Sequence, residues 1–119
     1  MWVGLLSLDA LLGDVHSLKE KRSLVRPVVA ELRRRFPVSA AEVDHHELHR
    51  RVKIGISVVA ADQGFCVDVL DGCERLVAER PELEVLETRR RLLAEDDVEE
   101  EARIPGGLGS GGLGGRQGV

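Results

Sequence analysis

The stretch RVKIGISVVAA, residues 51–61, places apolar side chains at every second position: Val52, Ile54, Ile56 and Val58. Alternation with a period of two is typical of a β-strand that packs one face against a core. Residues 38–43 alternate more weakly and predict another strand just before it, across the polar connection 44–47. Because this connection is short, the two strands are predicted to form a hairpin.

A helix is predicted upstream of this hairpin, over residues 17–36, and Pro37 ends it. Ser17 and Glu20 form a capping box, in which the Ser17 hydroxyl accepts from the Glu20 amide and the Glu20 carboxylate reaches back to the Ser17 amide. Pro27 lies inside the stretch and removes one backbone hydrogen bond, which predicts a kinked or divided helix. Apolar residues fall on one side at about 100° per residue: Leu18, Val25, Val29, Leu32 and Phe36.

The flanking segments complete the fold. Residues 2–12 are apolar at nearly every position, which is typical of a central strand with both faces at least partly covered. Asp62 is predicted to cap a second helix ending before Pro81, and residues 83 to about 93 form the last strand. The order βαββαβ with right-handed crossovers predicts an α+β fold, the ferredoxin-like plait, a four-stranded antiparallel sheet with two helices on one face.

Length and charge divide the chain of 119 residues into a domain, residues 1–94, and a tail, residues 95–119. The tail is acidic and then Gly-rich, a composition that predicts disorder. It holds six acids and two bases, whereas the other 94 residues hold 15 of each and are neutral overall. Neither a leader pattern nor an apolar run long enough to cross a bilayer is recognisable, so we expect a cytoplasmic protein with no membrane partner.

Several stretches of the domain resemble the YlxP-like family, small bacterial proteins that form a domain-of-unknown-function family. The similarity rests on VGLLSL at residues 3–8, SLKEKRS at 17–23, VSAAEVD at 38–44 and VKIGI at 52–56. The resemblance implies a ferredoxin-like fold and a gene neighbourhood among translation factors, near initiation factor 2 and ribosome-binding factor A. It implies no catalytic residue. The family often has an aromatic residue near the position of His49, and this chain does not.

A polar cluster in the hairpin connection is either a metal site or a solvated turn: Asp44, His45, His46, Glu47 and His49. Zinc needs three or four convergent ligands, and His45 and His49 would converge only on a helix. The turn is therefore favoured, and no metal site is predicted.

The apolar face of the second predicted helix carries both cysteines of the chain: Cys66, Val69, Leu70, Cys73, Leu76 and Val77. Seven residues on a helix separate the two cysteines by about 10 Å, and a disulfide spans Cα atoms no more than about 7 Å apart. We therefore predict buried, unpaired thiols. No nucleophile beside a base and no phosphate-binding loop is recognisable, so neither an enzyme nor a cofactor is expected.

The basic residues of the first predicted helix give the strongest functional signal. Seven bases and two acids lie between Ser17 and Phe36. Four of the bases fall within a sector of about 60°: Lys19, Arg22, Arg26 and Arg33. Such a stripe neutralises phosphates without reading bases, so these four are candidate nucleic-acid-binding residues, with ribosomal RNA or a ribosomal subunit as the partner. An ordinary solvated helix face stays open, because Arg and Lys are good helix formers.

The face of the sheet that carries no helix is a second candidate surface. The first strand is apolar on both of its faces, and exposed apolar sheet surface typically marks a partner interface. Self-association or protein docking through this face is the alternative function. Because Trp2 is the one aromatic residue available there, stacking of bases across the sheet is not expected.

Overall fold

A computed structural model of the chain describes residues 1–97. The predicted order βαββαβ is confirmed, and a short 3-10 helix follows it. The elements are β1 (Trp2–Leu12), α1 (Leu18–Arg35), β2 (Ser39–Asp44), β3 (Arg51–Ala60), α2 (Gln63–Ala78), β4 (Leu83–Ala94) and the 3-10 helix Glu95–Asp97. The hairpin of β2 and β3 is confirmed as well, with Ala41 opposite Gly55.

The four strands form one antiparallel sheet in the order β2-β3-β1-β4. The first strand is therefore central, and the edges are β2 and β4. At the middle of the sheet Ser7 lies opposite Gly55 on one side and opposite Arg89 on the other. This strand order and the two helical crossovers make the fold the ferredoxin-like plait that the sequence predicts.

Both helices cover one face of the sheet. α2 packs against β1, β3 and β4, and α1 packs against β2 and α2. On the covered face Leu6 and Leu8 are fully buried, whereas Leu5 on the opposite face is 40% exposed. The prediction that both faces of the first strand are at least partly covered is confirmed, since Val3, Ser7 and Leu11 on the open face are half-buried. Leu5 is the most open of them, because no helix lies over that face.

The core between sheet and helices is aliphatic and contains both thiols. All six residues of the predicted apolar face of α2 are buried, so the prediction of buried, unpaired cysteines is confirmed for Cys66 and Cys73. Trp2 and Phe36 pack at the rim of the core, and Phe65 stays 48% exposed.

The first turn of α1 is capped nearly as predicted. The Ser17 Oγ accepts from the Glu20 amide at 3.1 Å. The Glu20 carboxylate, however, accepts from the His16 amide at 2.7 Å rather than from the Ser17 amide. Ser17 has the extended conformation usual for an N-cap (φ −155°, ψ 162°), and the carboxylate meets the amide one residue before the predicted one. Pro27 does not divide α1, which runs as one helix from Leu18 to Arg35.

At the carboxyl end, β4 reaches Ala94 and the 3-10 helix Glu95–Asp97 follows. The Met1 amino group lies 3.5 Å from the Glu95 carboxylate, so the two ends of the described chain meet. The rest of the predicted disordered tail, residues 98–119, lies outside the described residues.

Among residues 1–97, no helix combines the length and apolar character that a bilayer crossing needs. The cytoplasmic location stays a prediction.

Candidate nucleic-acid interface

The four predicted nucleic-acid-binding residues all lie exposed on α1: Lys19, Arg22, Arg26 and Arg33. Within residues 1–97 none of the four forms an ion pair with an acidic side chain. The other three bases of the helix are all paired. Lys21 meets Glu42 at 2.6 Å, and Arg34 and Arg35 meet Glu31 at 3.5 and 3.2 Å. The predicted sector therefore carries the uncompensated charge of the helix.

Three of the four residues are brought together around a shallow depression of about 440 Å³ on the outer face of α1. Lys19, Arg22 and Arg26 line it, and we call these three the cationic patch. Ser23 and Pro27 complete the lining, so no carboxylate among residues 1–97 contributes to its wall. A surface of this kind attracts anions and repels cations.

Arg33 is separated from the cationic patch. Its Nε donates to the carbonyl of Ala40 at 3.0 Å, so the side chain is held at the edge strand β2. It lies about two turns beyond Arg26, where α1 passes over the end of the sheet. The helical sector predicts a shared direction for the four side chains, but the neighbouring strand decides where Arg33 points.

The basic side chain that the sequence analysis missed is Lys21, which is only 2% exposed. Its Nζ donates to the carbonyls of His45 and Leu48 at 2.7 and 2.9 Å and lies 2.6 Å from Glu42 Oε2. The Glu42 oxygen is not aligned for a hydrogen bond, so this third contact is electrostatic. Lys21 thus joins α1 to β2 and to the turn that leads into β3.

A signal for this burial is present in the sequence. Lys21 precedes Val25 by four residues, Val28 by seven and Leu32 by eleven, and all three are buried. These spacings place Lys21 on the apolar face of the helix. A lysine at such a position needs acceptors for its charge, since a buried unpaired charge is costly.

The second candidate surface, the open face of the sheet, holds a groove of about 1110 Å³. We call it the sheet groove. Small side chains from three strands form much of its lining: Ser7, Ser39, Ala41, Gly55 and Ser57. Arg33 lines it beside β2, and Arg89 and Arg91 line it on β4. No acidic residue within 1–97 contributes to its lining.

The histidines that raised the question of a metal site point in different directions. His45 Nε2 lies 3.2 Å from Asp9 Oδ2, and His46 Nε2 lies 3.2 Å from the carbonyl of Glu42. His45 adopts a positive φ of 64°, which turns the chain sharply after β2. In the part of the chain that the structure describes, no three His, Cys, Asp or Glu side chains converge as metal ligands.

Asp9 joins this turn to the sheet and gives stability a pH dependence. Arg51 donates to Asp9 Oδ1 at 2.8 Å, and this bond holds the pKa of the Asp9 carboxyl below its ordinary value of 3.8. Burial raises this pKa and so opposes the effect, whereas the contact with His45 lowers it further. A carboxyl with a lowered folded-state pKa stabilises the fold above the unfolded-state pKa, and the contribution is lost as pH falls through 3.8 and below.

We therefore expect Asp9→Asn to destabilise the protein at neutral pH and to converge with the wild type in acid. Urea unfolding of both proteins between about pH 2 and pH 7 measures this difference. Asp14→Asn is the control, since the Asp14 side chain is 92% exposed. A gap between Asp9→Asn and wild type that stays constant across the range would contradict the assignment.

Comparison with known proteins places the chain in a family. The family model described as "Protein of unknown function (DUF503)" matches residues 3–90. The curated relative "Uncharacterized protein YlxP" of Bacillus subtilis (strain 168) is 25% identical over 87 residues, which cover 73% of this chain and 95% of that protein.

Solved structures give further similarities. A de novo designed protein with a ferredoxin fold is 15% identical with a TM-score of 0.47, and the match covers 80% of this chain and 88% of the design. SnoaB, a cofactor-independent oxygenase from Streptomyces nogalater, is 11% identical with a TM-score of 0.45, and the match covers 78% of this chain and 91% of that one.

Proposed function

This chain belongs to the family described as "Protein of unknown function (DUF503)", and from that premise we propose that it is a non-enzymatic factor that associates with RNA or the ribosome. The cationic patch binds the phosphate backbone, with a ribosomal RNA or a ribosomal subunit as the partner. Arg33 contributes at the far end of α1 when the bound strand extends beyond the patch.

The observation that carries this proposal is the uncompensated charge of the cationic patch. Lys19, Arg22 and Arg26 lie exposed on one helical face, and no acidic residue within 1–97 pairs with any of them. Because residues 1–94 hold equal numbers of acids and bases, this face carries a local excess of positive charge. Phosphate groups neutralise such an excess and release their condensed counterions, which drives binding.

The same face favours contact with the backbone over contact with bases. Recognition of unpaired bases uses aromatic platforms, and the patch contains none. Trp2 and Phe36 pack at the rim of the core, and Phe65 belongs to α2. We therefore expect binding with a strong salt dependence and little sequence preference.

A second candidate function is protein docking through the open face of the sheet, including self-association. The observation in its favour is the sheet groove, around which Leu5 and Val43 are 40% and 51% exposed. Because Arg33, Arg89 and Arg91 line the groove and no acid within 1–97 does, a docked partner would be acidic where it meets these arginines. The two functions differ in which face of the domain the binding depends on.

The double variant Arg22→Gln, Arg26→Gln tests the main proposal. Its binding to ribosomal subunits and to a structured ribosomal RNA fragment is measured across a salt series. Two lost phosphate contacts flatten the plot of log affinity against log salt by about two units. Folding is spared, because both side chains are exposed and unpaired.

Arg34→Gln, Arg35→Gln is the matched control, since it removes two charges from the same helix that are already paired with Glu31. This control keeps its salt slope if the cationic patch is the binding face. If both double variants lose affinity equally, the effect comes from net charge alone, and the proposal is contradicted. Binding that survives Arg22→Gln, Arg26→Gln with its salt slope unchanged moves the function to the sheet groove.

A further inference from the structure

Pro27 leaves one backbone acceptor of α1 without its helical donor. In an α-helix the amide of each residue donates to the carbonyl four residues earlier, and proline has no amide hydrogen. The residue four positions before Pro27 is Ser23, and α1 continues unbroken through both. The Ser23 carbonyl therefore has no partner at the position where every neighbouring carbonyl of the helix has one.

Ser23, which carries the freed carbonyl, lines the same depression as the cationic patch. Ser23 and Pro27 are both exposed, and together with Lys19, Arg22 and Arg26 they line the same depression. The Ser23 hydroxyl is already engaged, because its Oγ donates to the carbonyl of Glu20 at 2.7 Å. The residue that carries the freed carbonyl and three cationic side chains therefore line one depression.

This combination of groups does not suit a phosphate alone. Phosphate oxygens accept hydrogen bonds from Lys and Arg, but an ionised phosphate diester has no hydrogen to give to a carbonyl. A ribose places a 2′-hydroxyl, which donates as well as accepts, close to the phosphate of the same strand, and deoxyribose lacks it. The depression therefore offers complementary partners to both groups of an RNA backbone.

We propose that this site selects RNA over DNA because the Ser23 carbonyl accepts a hydrogen bond from a ribose 2′-hydroxyl while the cationic patch holds the adjacent phosphates. The inference rests on the proposed function, since it assumes that α1 binds a nucleic-acid backbone. It adds the specificity that charge alone cannot supply, because RNA and DNA carry the same charge per phosphate.

The experiment compares three duplexes of one sequence: RNA, 2′-O-methyl RNA and DNA. The 2′-O-methyl duplex keeps the ribose oxygen but has no hydrogen to donate. We expect the wild-type chain to bind RNA about three- to tenfold more tightly than either other duplex, which is the worth of one neutral hydrogen bond. Pro27→Ala restores an amide donor to the Ser23 carbonyl and should bring the three affinities together.

Two further results make the test specific. Pro27→Ala leaves all cations in place, so its affinity for DNA and its salt slope should match those of the wild type. It should also fold, since Ala is the best helix former and Pro27 is exposed.

The outcomes separate this inference from the proposal that it rests on. If the wild type binds RNA and 2′-O-methyl RNA equally, or if Pro27→Ala keeps the full preference, the carbonyl contact is overturned while phosphate binding by the cationic patch stands. If the wild type binds none of the three duplexes at low salt, both are overturned.

Discussion

Replacing Lys21 with Met should destabilise the fold by about 3 kcal/mol, the lower end of the range for breaking a buried ion pair. Met fills a similar volume, so the effect reports the lost charge and hydrogen bonds rather than a cavity. The variant leaves Glu42 without its cation and the carbonyls of His45 and Leu48 without the donor that they share. Glu42 is 21% exposed, and partial hydration of its carboxylate keeps the loss at the lower end.

Thermal and urea unfolding of the purified chain measure this effect, and the midpoint temperature should fall by about 12–20 °C. Lys19→Met is the matched control, because Lys19 is exposed on the same helix two residues away and should change stability by less than about 0.5 kcal/mol. Glu42→Gln should also destabilise the fold. In the double variant with Lys21→Met, the loss in free energy of unfolding should be smaller than the sum of the two single losses. If Lys21→Met is as stable as Lys19→Met, the ion pair does not hold α1 to the β2–β3 turn.

The Cys73 thiol should react with a thiol reagent at least 100-fold more slowly in the native protein than in the unfolded chain. Burial raises the pKa of the Cys73 thiol from 9.0 to about 11, although the charge of Arg90 opposes the shift. A rise of two units leaves about 100-fold less thiolate at neutral pH, and only the thiolate attacks. The side chain is also fully buried, so the reagent needs a local opening to reach it.

A single-thiol variant, Cys66→Ala, allows the rate at Cys73 to be measured alone. The control places a cysteine at exposed Asp68 of the same helix in a chain whose native cysteines are both replaced by Ala. That thiol should react at nearly the same rate in the folded and the unfolded protein. Comparable rates for Cys73 and the Asp68→Cys thiol would show that this part of α2 opens freely, and would contradict the packing described for it.

Local sequence patterns were enough to predict the helices and strands of this protein. The alternation of apolar residues along 51–60 locates β3, and the Asp62 cap locates the start of α2. Both features depend only on the backbone and on residues that are close in the chain. The fold class also followed, because few connections of βαββαβ avoid crossings and keep the right hand. Exposure of the cationic patch followed from helical geometry, since Lys19, Arg22 and Arg26 border the apolar side and their long side chains keep the charged groups in solvent.

The pairing of the charges could not be predicted in the same way, because these ion pairs join residues that are distant in the chain and meet only in the folded domain. In the sequence, Lys21 is one of seven bases of the helix. In the folded domain it pairs with Glu42, which lies 21 positions later on the edge strand β2. These two residues belong to the SLKEKRS and VSAAEVD stretches, which therefore meet in space. Arg33 shares the helical sector of the cationic patch, but the carbonyl of Ala40 lies within its reach and holds it at β2. Helical periodicity predicts the direction in which a side chain leaves the helix axis. The hydrogen-bond acceptors that it meets there belong to other parts of the chain, which periodicity does not locate.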